Sequence, residues 1–243
     1  MRVPPTVILA QDALGDDGMS KTAYGLLRYA PESVVAVIDS ANAGRDCGDV
    51  TGTGRGVPVL RELAACLDFR PQRLVIGVAT AGGVLPSGWR GQIRMALENG
   101  MEVVSGMHEL LSDDPELSII ASRCGGRITD LRKSPEGLPV AFCKAQNVKA
   151  GVVLTVGTDC NAGKMTASLE MLREAEQRGI RSGFCATGQT GIAIAGRGIA
   201  IDHTISDFTA GAAEKLVLDE AADPEVKLIF VEGQGALCQP SYS

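Results

Sequence analysis

Residues Gly151 to Thr166 read GVVLTVGTDCNAGKMT, and the order of residue types in this stretch decides the fold. Val152, Val153, Leu154 and Val156 form a nearly continuous apolar run, the pattern of a strand buried on both faces of a parallel sheet. A glycine-rich turn follows: Gly157, the spacer Thr158, Asp159, Cys160, Asn161 and Ala162, then Gly163 and Lys164. Met165, Leu169 and Leu172 next recur at helical spacing, with Glu170, Arg173 and Glu174 between them. Strand, loop, helix is the order that a phosphate cradle needs. Loop N–H groups and the positive end of the helix converge on an anion, the glycines allow close approach, and a lysine adds a point charge. An ordinary Gly-rich turn has no need of that lysine, so residues Gly157 to Thr166 are read as a site for phosphate or diphosphate.

The stretch departs from the usual P-loop in two ways. The common form has four residues between Gly and Gly-Lys and a Ser or Thr directly after the Lys, whose hydroxyl holds magnesium. Here the spacer is five residues and Met165 stands at the magnesium position. Thr166 comes one step later, turned by about 100° around the helix, so it is a poor replacement for that ligand. Anion binding and ATP hydrolysis are therefore separate expectations, and the first is the firmer.

Composition narrows the class. The 243 residues, 45% hydrophobic, are enough to bury a sizeable core in one or two domains. A net charge of -6, with no basic run, argues against a nucleic-acid or anionic-membrane partner. Few aromatics and 30 glycines suit an α/β protein with many tight loops. The seven cysteines (47, 66, 124, 143, 160, 185 and 238) form no C-x-x-C pair, so neither a zinc site nor a disulfide framework is indicated and no metal is expected. Reduced thiols imply a cytoplasmic protein. Cys160 differs in placement, since a thiolate is favoured near a helix N-terminus. Residues 7–10 are too short an apolar core for a signal peptide, and no run approaches the roughly 20 residues that cross a bilayer.

Taken in order, Thr6 to Ala10 reads as a first strand and MSKTAYGLLRYA from Met19 as a helix with Ser20 as its cap. The turn between them lacks the G-x-G-x-x-G spacing of a dinucleotide site, so Asp39, at the end of the next strand (33–38), reads as a plain strand-end acid. Residues 41–58 form a long Gly-rich loop. A helix is expected over 58–67, a strand over 73–79 ending near Gly82-Gly83, a helix over 88–99, a strand over 101–105, helices near 107–123 with His108 at a helix start, and an edge strand over 127–131. Such alternation implies a parallel sheet with right-handed crossovers.

Residues 1–135 thus read as a Rossmann-like N-terminal domain, 136–149 as a linker, and 150–243 as a P-loop NTPase-like α/β domain. In the latter, the strand 181–186 leads into ATGQTG, which reads either as a plain turn or as a place where Thr187, Gln189 and Thr190 meet a ligand beside the phosphate site. Asp202, His203 and Asp207 precede a helix over 207–222; a surface His203 and a capping Asp207 are the preferred reading over a base with its orienter. The strand 227–231 ends in Glu232-Gly233-Gln234-Gly235. In P-loop proteins an acid at the end of such a strand commonly faces the metal or the attacking group, which makes Glu232 the first candidate for a functional carboxylate.

The residues also carry a resemblance. GTDCNAGKMT with FVEGQG (230–235) is similar to the dethiobiotin-synthetase branch of P-loop proteins, which has the same five-residue spacer. Over nearly the whole chain, KTAYGLLRY, VVAVIDS, GVATAGG, VVSGMHELLSDDPEL, VGTDCNAGKMTASLE, ATGQTGIAIAGRGIAID and VEGQGAL resemble the DgcN-type D-glutamate N-acetyltransferase family, long listed as of unknown function. This resemblance implies a Rossmann-like domain followed by a P-loop domain, and acetyl transfer from acetyl-CoA to the amino group of D-glutamate. It also implies a homo-oligomer acting on a small molecule, and an enolase-type epimerase that takes the product. On this view Gly157 to Thr166, with Gln189 and Thr190, hold the coenzyme. Glu232, Asp159 and Thr166 are the catalytic candidates, and Lys164, Lys21 and Arg197 are available to the substrate carboxylates. A coenzyme A site has no obligatory need for magnesium, in keeping with Met165. The alternative is an ATP- and Mg2+-dependent ligase or kinase, with the metal on Thr166 and Glu232. Members of the family are longer, so further strands and helices are expected beyond Ser243.

Overall fold

A computed structural model describes residues 4–80, 83–159 and 162–236. The chain divides into two compact units, Met1–Leu131 and Arg132–Ser243, each built around a parallel sheet.

In the first unit, β1 (Thr6–Leu9), α1 (Lys21–Tyr29), β2 (Val34–Ile38), α2 (Cys47–Thr51), β3 (Val59–Leu60), β4 (Arg73–Ile76), α3 (Arg90–Glu98), β5 (Glu102–Ser105), α4 (Pro115–Cys124) and β6 (Arg127–Asp130) follow in turn. The six strands lie in the order β3-β2-β1-β4-β5-β6, every pair parallel. This is the strand order of a dinucleotide-binding fold, with the reversal between β1 and β4. β1 is fully buried, and Ile8, Leu9, Leu14, Leu27, Ile38 and Leu74 fill the centre.

Four local expectations change, the first being that the loop expected over 41–58 holds the short helix α2. Residues 59–60 extend as the edge strand β3 instead of starting a helix, and a 3-10 helix, Leu63–Phe69, follows. Pro58 explains the difference. It has no N–H to give but its carbonyl accepts from Val37 N–H at 3.0 Å, the role a proline can play at the start of an edge strand. Ser20 makes no cap bond; its hydroxyl donates to the Ala13 carbonyl at 2.6 Å and ties the β1–α1 turn to the helix start. His108 opens no helix either. It is exposed and lies against Gly83, where φ is +66° and a Cβ would meet the His108 ring at 2.5 Å; Gly82 lies outside the described residues.

The second unit contains β7 (Gly151–Leu154), α5 (Lys164–Gln177), β8 (Ser182–Cys185), α6 (Gln189–Ala195), α7 (Ser206–Ala221) and β9 (Leu228–Val231), with strand order β7-β9-β8. Helices α5 and α7 both pack on β8 and β9, over a core of Cys185, Ala212, Leu216, Val217, Ile229 and Val231. β7 has the expected backbone but not the expected burial. It pairs with β9 on one side, and its four residues are all exposed, as is Val156 at 81%. An apolar run specifies a strand; its burial depends on what packs against it, and no helix among the described residues covers β7. The stretch 136–147 lies along α7, where Glu214 accepts from the N–H groups of Phe142 (2.8 Å) and Ala145 (3.1 Å). Gly211 lets this segment pass, because a Cβ there would overlap the Pro139 carbonyl.

Candidate active site

The three strands of the second unit end at one place, and the residues singled out in the sequence gather there. β7 leads through Thr155 and Val156 into Gly157, and α5 begins at Lys164 after Gly163, which takes a left-handed φ of +89° that favours glycine. The Lys164 ammonium folds back across the turn and donates to the Asp159 carbonyl at 2.7 Å. Thr158, Ala162 and Gly163 are exposed; Gly157, Asp159, Met165 and Thr166 are half-buried. Cys160 and Asn161 lie outside the described residues.

Glu232 stands at the end of β9 with 6% of its surface exposed. Its Oε2 accepts from the N–H groups of Thr187 (3.0 Å) and Gly188 (3.1 Å), immediately before α6. The carboxylate therefore satisfies N–H groups at the start of that helix, which has no capping side chain of its own. Gly191 is the matching gap, since a Cβ there would collide with Oε2. Burial pushes the Glu232 carboxyl up to about 7, against the two N–H bonds, which pull it down; Asp202 adds to the rise and Lys164 opposes it. A carboxyl that changes charge near neutrality can take up and return protons.

The backbone around Glu232 is held from both sides. Its N–H donates to the Cys185 carbonyl at 3.1 Å, and its carbonyl accepts from the Thr187 hydroxyl at 2.6 Å, which in turn accepts from Gln234 Nε2 at 2.9 Å. On the other side Gly233 N–H donates to the Thr155 hydroxyl at 3.2 Å. Gly233 is pressed onto the end of β7, where a Cβ would overlap the Thr155 carbonyl and come within 3.5 Å of Lys164 Cδ. The acid-bearing strand end and the lysine of the loop thus share one site.

Other candidates fall in different places. Gln189 and Thr190 form the first turn of α6, Gln189 half-buried and Thr190 buried. Arg197, largely exposed, pairs with Glu220 at 2.8 Å, whose carboxylate is itself nearly buried. Lys21 belongs to the first unit, at the start of α1. Asp202 pairs with the buried Arg132, His203 is exposed, and Asp207 lies in the first turn of α7 without capping it. Thr187, also a candidate ligand reader in the sequence, is buried and bonded to Glu232; sequence reasoning missed Thr155 and Ser168, buried hydroxyls whose significance lies in partners far along the chain. Burial pushes the thiols of Cys47, Cys66 and Cys185 up to about 12, so none of the three is a ready nucleophile. Among the described residues no group of His, Cys, Asp and Glu could hold a metal ion, and no helix is long and apolar enough to cross a membrane.

A strand, a glycine-rich turn with its lysine and a second strand end bearing a buried acid define a P-loop-type α/β domain, here preceded by a Rossmann-like one. The chain belongs to the DUF1611 family: the Rossmann-like domain of unknown function (DUF1611_N) matches residues 40–134, and the P-loop domain of unknown function (DUF1611_C) matches 139–243. A crystal structure of a DUF1611 family protein from Anabaena variabilis superposes with a TM-score of 0.91 at 39% identity, over 99% of this chain and 69% of that one. Two curated relatives are named D-glutamate N-acetyltransferase. The one from Tritonibacter scottomollicae is 38% identical over 92% of this chain, and the one from a Pseudoalteromonas species 40% identical over 70%. The chain spans 63% and 49% of their lengths.

Proposed function

We propose that this protein is an amino-acid N-acetyltransferase that moves an acetyl group from acetyl-CoA to the amino nitrogen of D-glutamate. One observation carries the reading: a buried carboxyl that ionises near neutrality, Glu232, adjoins a glycine-rich anion loop that has methionine where magnesium would need a hydroxyl. The names of the relatives supply the reaction class and the substrate.

In this scheme the turn from Gly157 to Lys164 holds the coenzyme's phosphates, through its N–H groups and the lysine, with Thr166, Gln189 and Thr190 beside them. Glu232 takes a proton from the substrate ammonium. The amine lone pair attacks the thioester carbonyl carbon, and the oxyanion that forms is met by loop N–H groups or the Thr166 hydroxyl. The C–S bond then breaks, the nitrogen gives up its second proton, and coenzyme A leaves as the thiol. Asp159 lends its carbonyl to Lys164 and so shapes the loop. Acetyl-CoA as donor implies a cytoplasmic enzyme, and an N-acetylated D-amino acid is a product that an enolase-type epimerase can invert.

The test is an assay with two arms. Acetyl-CoA and D-glutamate are supplied and thiol release is followed; ATP, magnesium and D-glutamate are supplied and phosphate release is followed. Thiol release that needs D-glutamate and not ATP is expected. Phosphate release without thiol release would replace this reading with that of an ATP-dependent ligase or kinase.

A further inference from the structure

Two buried hydroxyls join the anion loop to the strand that carries Glu232. Thr155 ends the approach to the loop, two residues before Gly157, and Ser168 lies one turn along α5 from Lys164. Ser168 is fully buried and Thr155 nearly so. Their oxygens are 3.0 Å apart. Both reach the Val231 carbonyl, Thr155 Oγ1 at 3.3 Å and Ser168 Oγ at 3.4 Å, and Thr155 Oγ1 accepts from Gly233 N–H at 3.2 Å. The residues they hold, Val231 and Gly233, flank Glu232.

Hydroxyls in such a place need a reason. Alanine fits at position 168 and valine is isosteric at 155, and either removes the cost of burying an oxygen. The pair makes specific bonds instead, and these bonds bridge elements that answer to different parts of the site. The other side of Glu232 is tied to Thr187 and Gly188, on the β8–α6 turn, which has no bond to the loop among the described residues.

We propose that Thr155 and Ser168 are positioning residues that transmit occupancy of the Gly157–Lys164 turn to Glu232. An anion drawn onto the loop pulls on the start of α5 and the end of β7. The two hydroxyls pass that displacement to Val231 and Gly233, and so set where the carboxyl stands. Neither hydroxyl touches substrate. The proposal builds on the acetyl-transfer reading, in which Glu232 is the base, but its test does not need turnover.

The experiment follows the titration of the Glu232 carboxyl by 13C NMR in the full chain labelled at glutamate, assigned with Glu232→Gln. Coenzyme A and, separately, inorganic pyrophosphate serve as probes. In the unaltered protein each probe is expected to move the Glu232 midpoint by about half a pH unit or more. In Thr155→Val and Ser168→Ala the probe is expected to bind within about 3-fold of the original affinity, a change below 1 kcal/mol, while the shift at Glu232 is lost. Thr155→Ser, which keeps the oxygen, is expected to restore it. A folded Thr155→Val or Ser168→Ala protein that retains the full shift overturns the proposal, and so does a loss of probe binding in step with the loss of shift. If pyrophosphate moves Glu232 and coenzyme A does not, the coupling stands and the coenzyme reading falls. If neither probe moves Glu232 in the unaltered protein, the coupling falls.

Discussion

Both units of this protein send a parallel strand into a turn and then a helix, at β1–α1 and at β7–α5, yet the two turns are completed by different means. The first is closed by an acid from the end of β2. The fully buried Asp39 accepts from Asp12 N–H at 3.0 Å, Ala41 N–H at 3.1 Å and Asn42 Nδ2 at 2.8 Å, and Leu14 fills the interior. Asp12, Asp16 and Asp17 lie in the same turn, which therefore carries negative charge. The second turn also has a lysine at its helix start and an acid from another strand nearby, but its glycine is exposed and that acid bonds to the start of α6 and, among the described residues, not to the turn. The same backbone plan thus serves as a structural corner in one unit and, in the function proposed above, as an anion cradle in the other. The difference lies in which side chains occupy the turn.

The largest effect that separates the turns is expected from Glu232→Gln. Loss of a general base lowers acetyl transfer by about 10²–10⁴-fold, seen in kcat with the KM for acetyl-CoA little changed. The rate of the unaltered enzyme should rise with pH through about 7, where Glu232 loses its proton, and the variant should lack that limb. Stability runs the other way. The folded carboxyl holds its proton above the ordinary value of 4.5, so folding binds a proton between about 4.5 and 7. Stability is full below that window and falls as pH rises through it, by up to about 3 kcal/mol, and the Gln variant should lose less in urea titrations at pH 8.

Asp39→Ala is the counterpart in the first turn. Three donors lose a buried acceptor, and unfolding of the first unit should ease by about 2–4 kcal/mol, read from urea midpoints, with coenzyme A affinity unchanged. A loss of coenzyme binding would mean that the first turn is also a ligand site. Next in size, Lys164→Ala should weaken coenzyme A binding about 10–100-fold by calorimetry, an ordinary cost for one charge-assisted contact. Lys21→Ala, at the equivalent helix start of the first unit, should change it less than about 2-fold; equal effects would erase the distinction. An effect between these two is expected from Gly163→Ala. No atom stands where the Cβ would go, so the cost is the left-handed backbone alone, about 1–2 kcal/mol, seen as weaker coenzyme binding with unchanged helix content.

The legible parts of the sequence were those whose signal is local. Apolar run, glycines, lysine and helical spacing located the loop, and the strand-end position of Glu232 marked it as the acid to watch. Helix α6 was not legible: QTGIAIA holds a glycine and two β-branched isoleucines, poor helix formers. The carboxylate that satisfies its first N–H groups comes from 40 or more positions further along the chain. Residues 58–60 were misread for a related reason, since Val59 becomes a strand only because Val37 lies beside it.

By itself the sequence determined that two α/β units follow one another and that a lysine-bearing glycine turn opens the main helix of the second, because periodicity and backbone freedom are properties of neighbouring residues. Only the tertiary structure decided that β7 is exposed, that Arg197 is held by Glu220, and that Thr155, Ser168, Thr187 and Gly188 close around Glu232. Burial and hydrogen bonding are relations between residues far apart along the chain, and these fix the carboxyl's environment and with it the pH at which it can work.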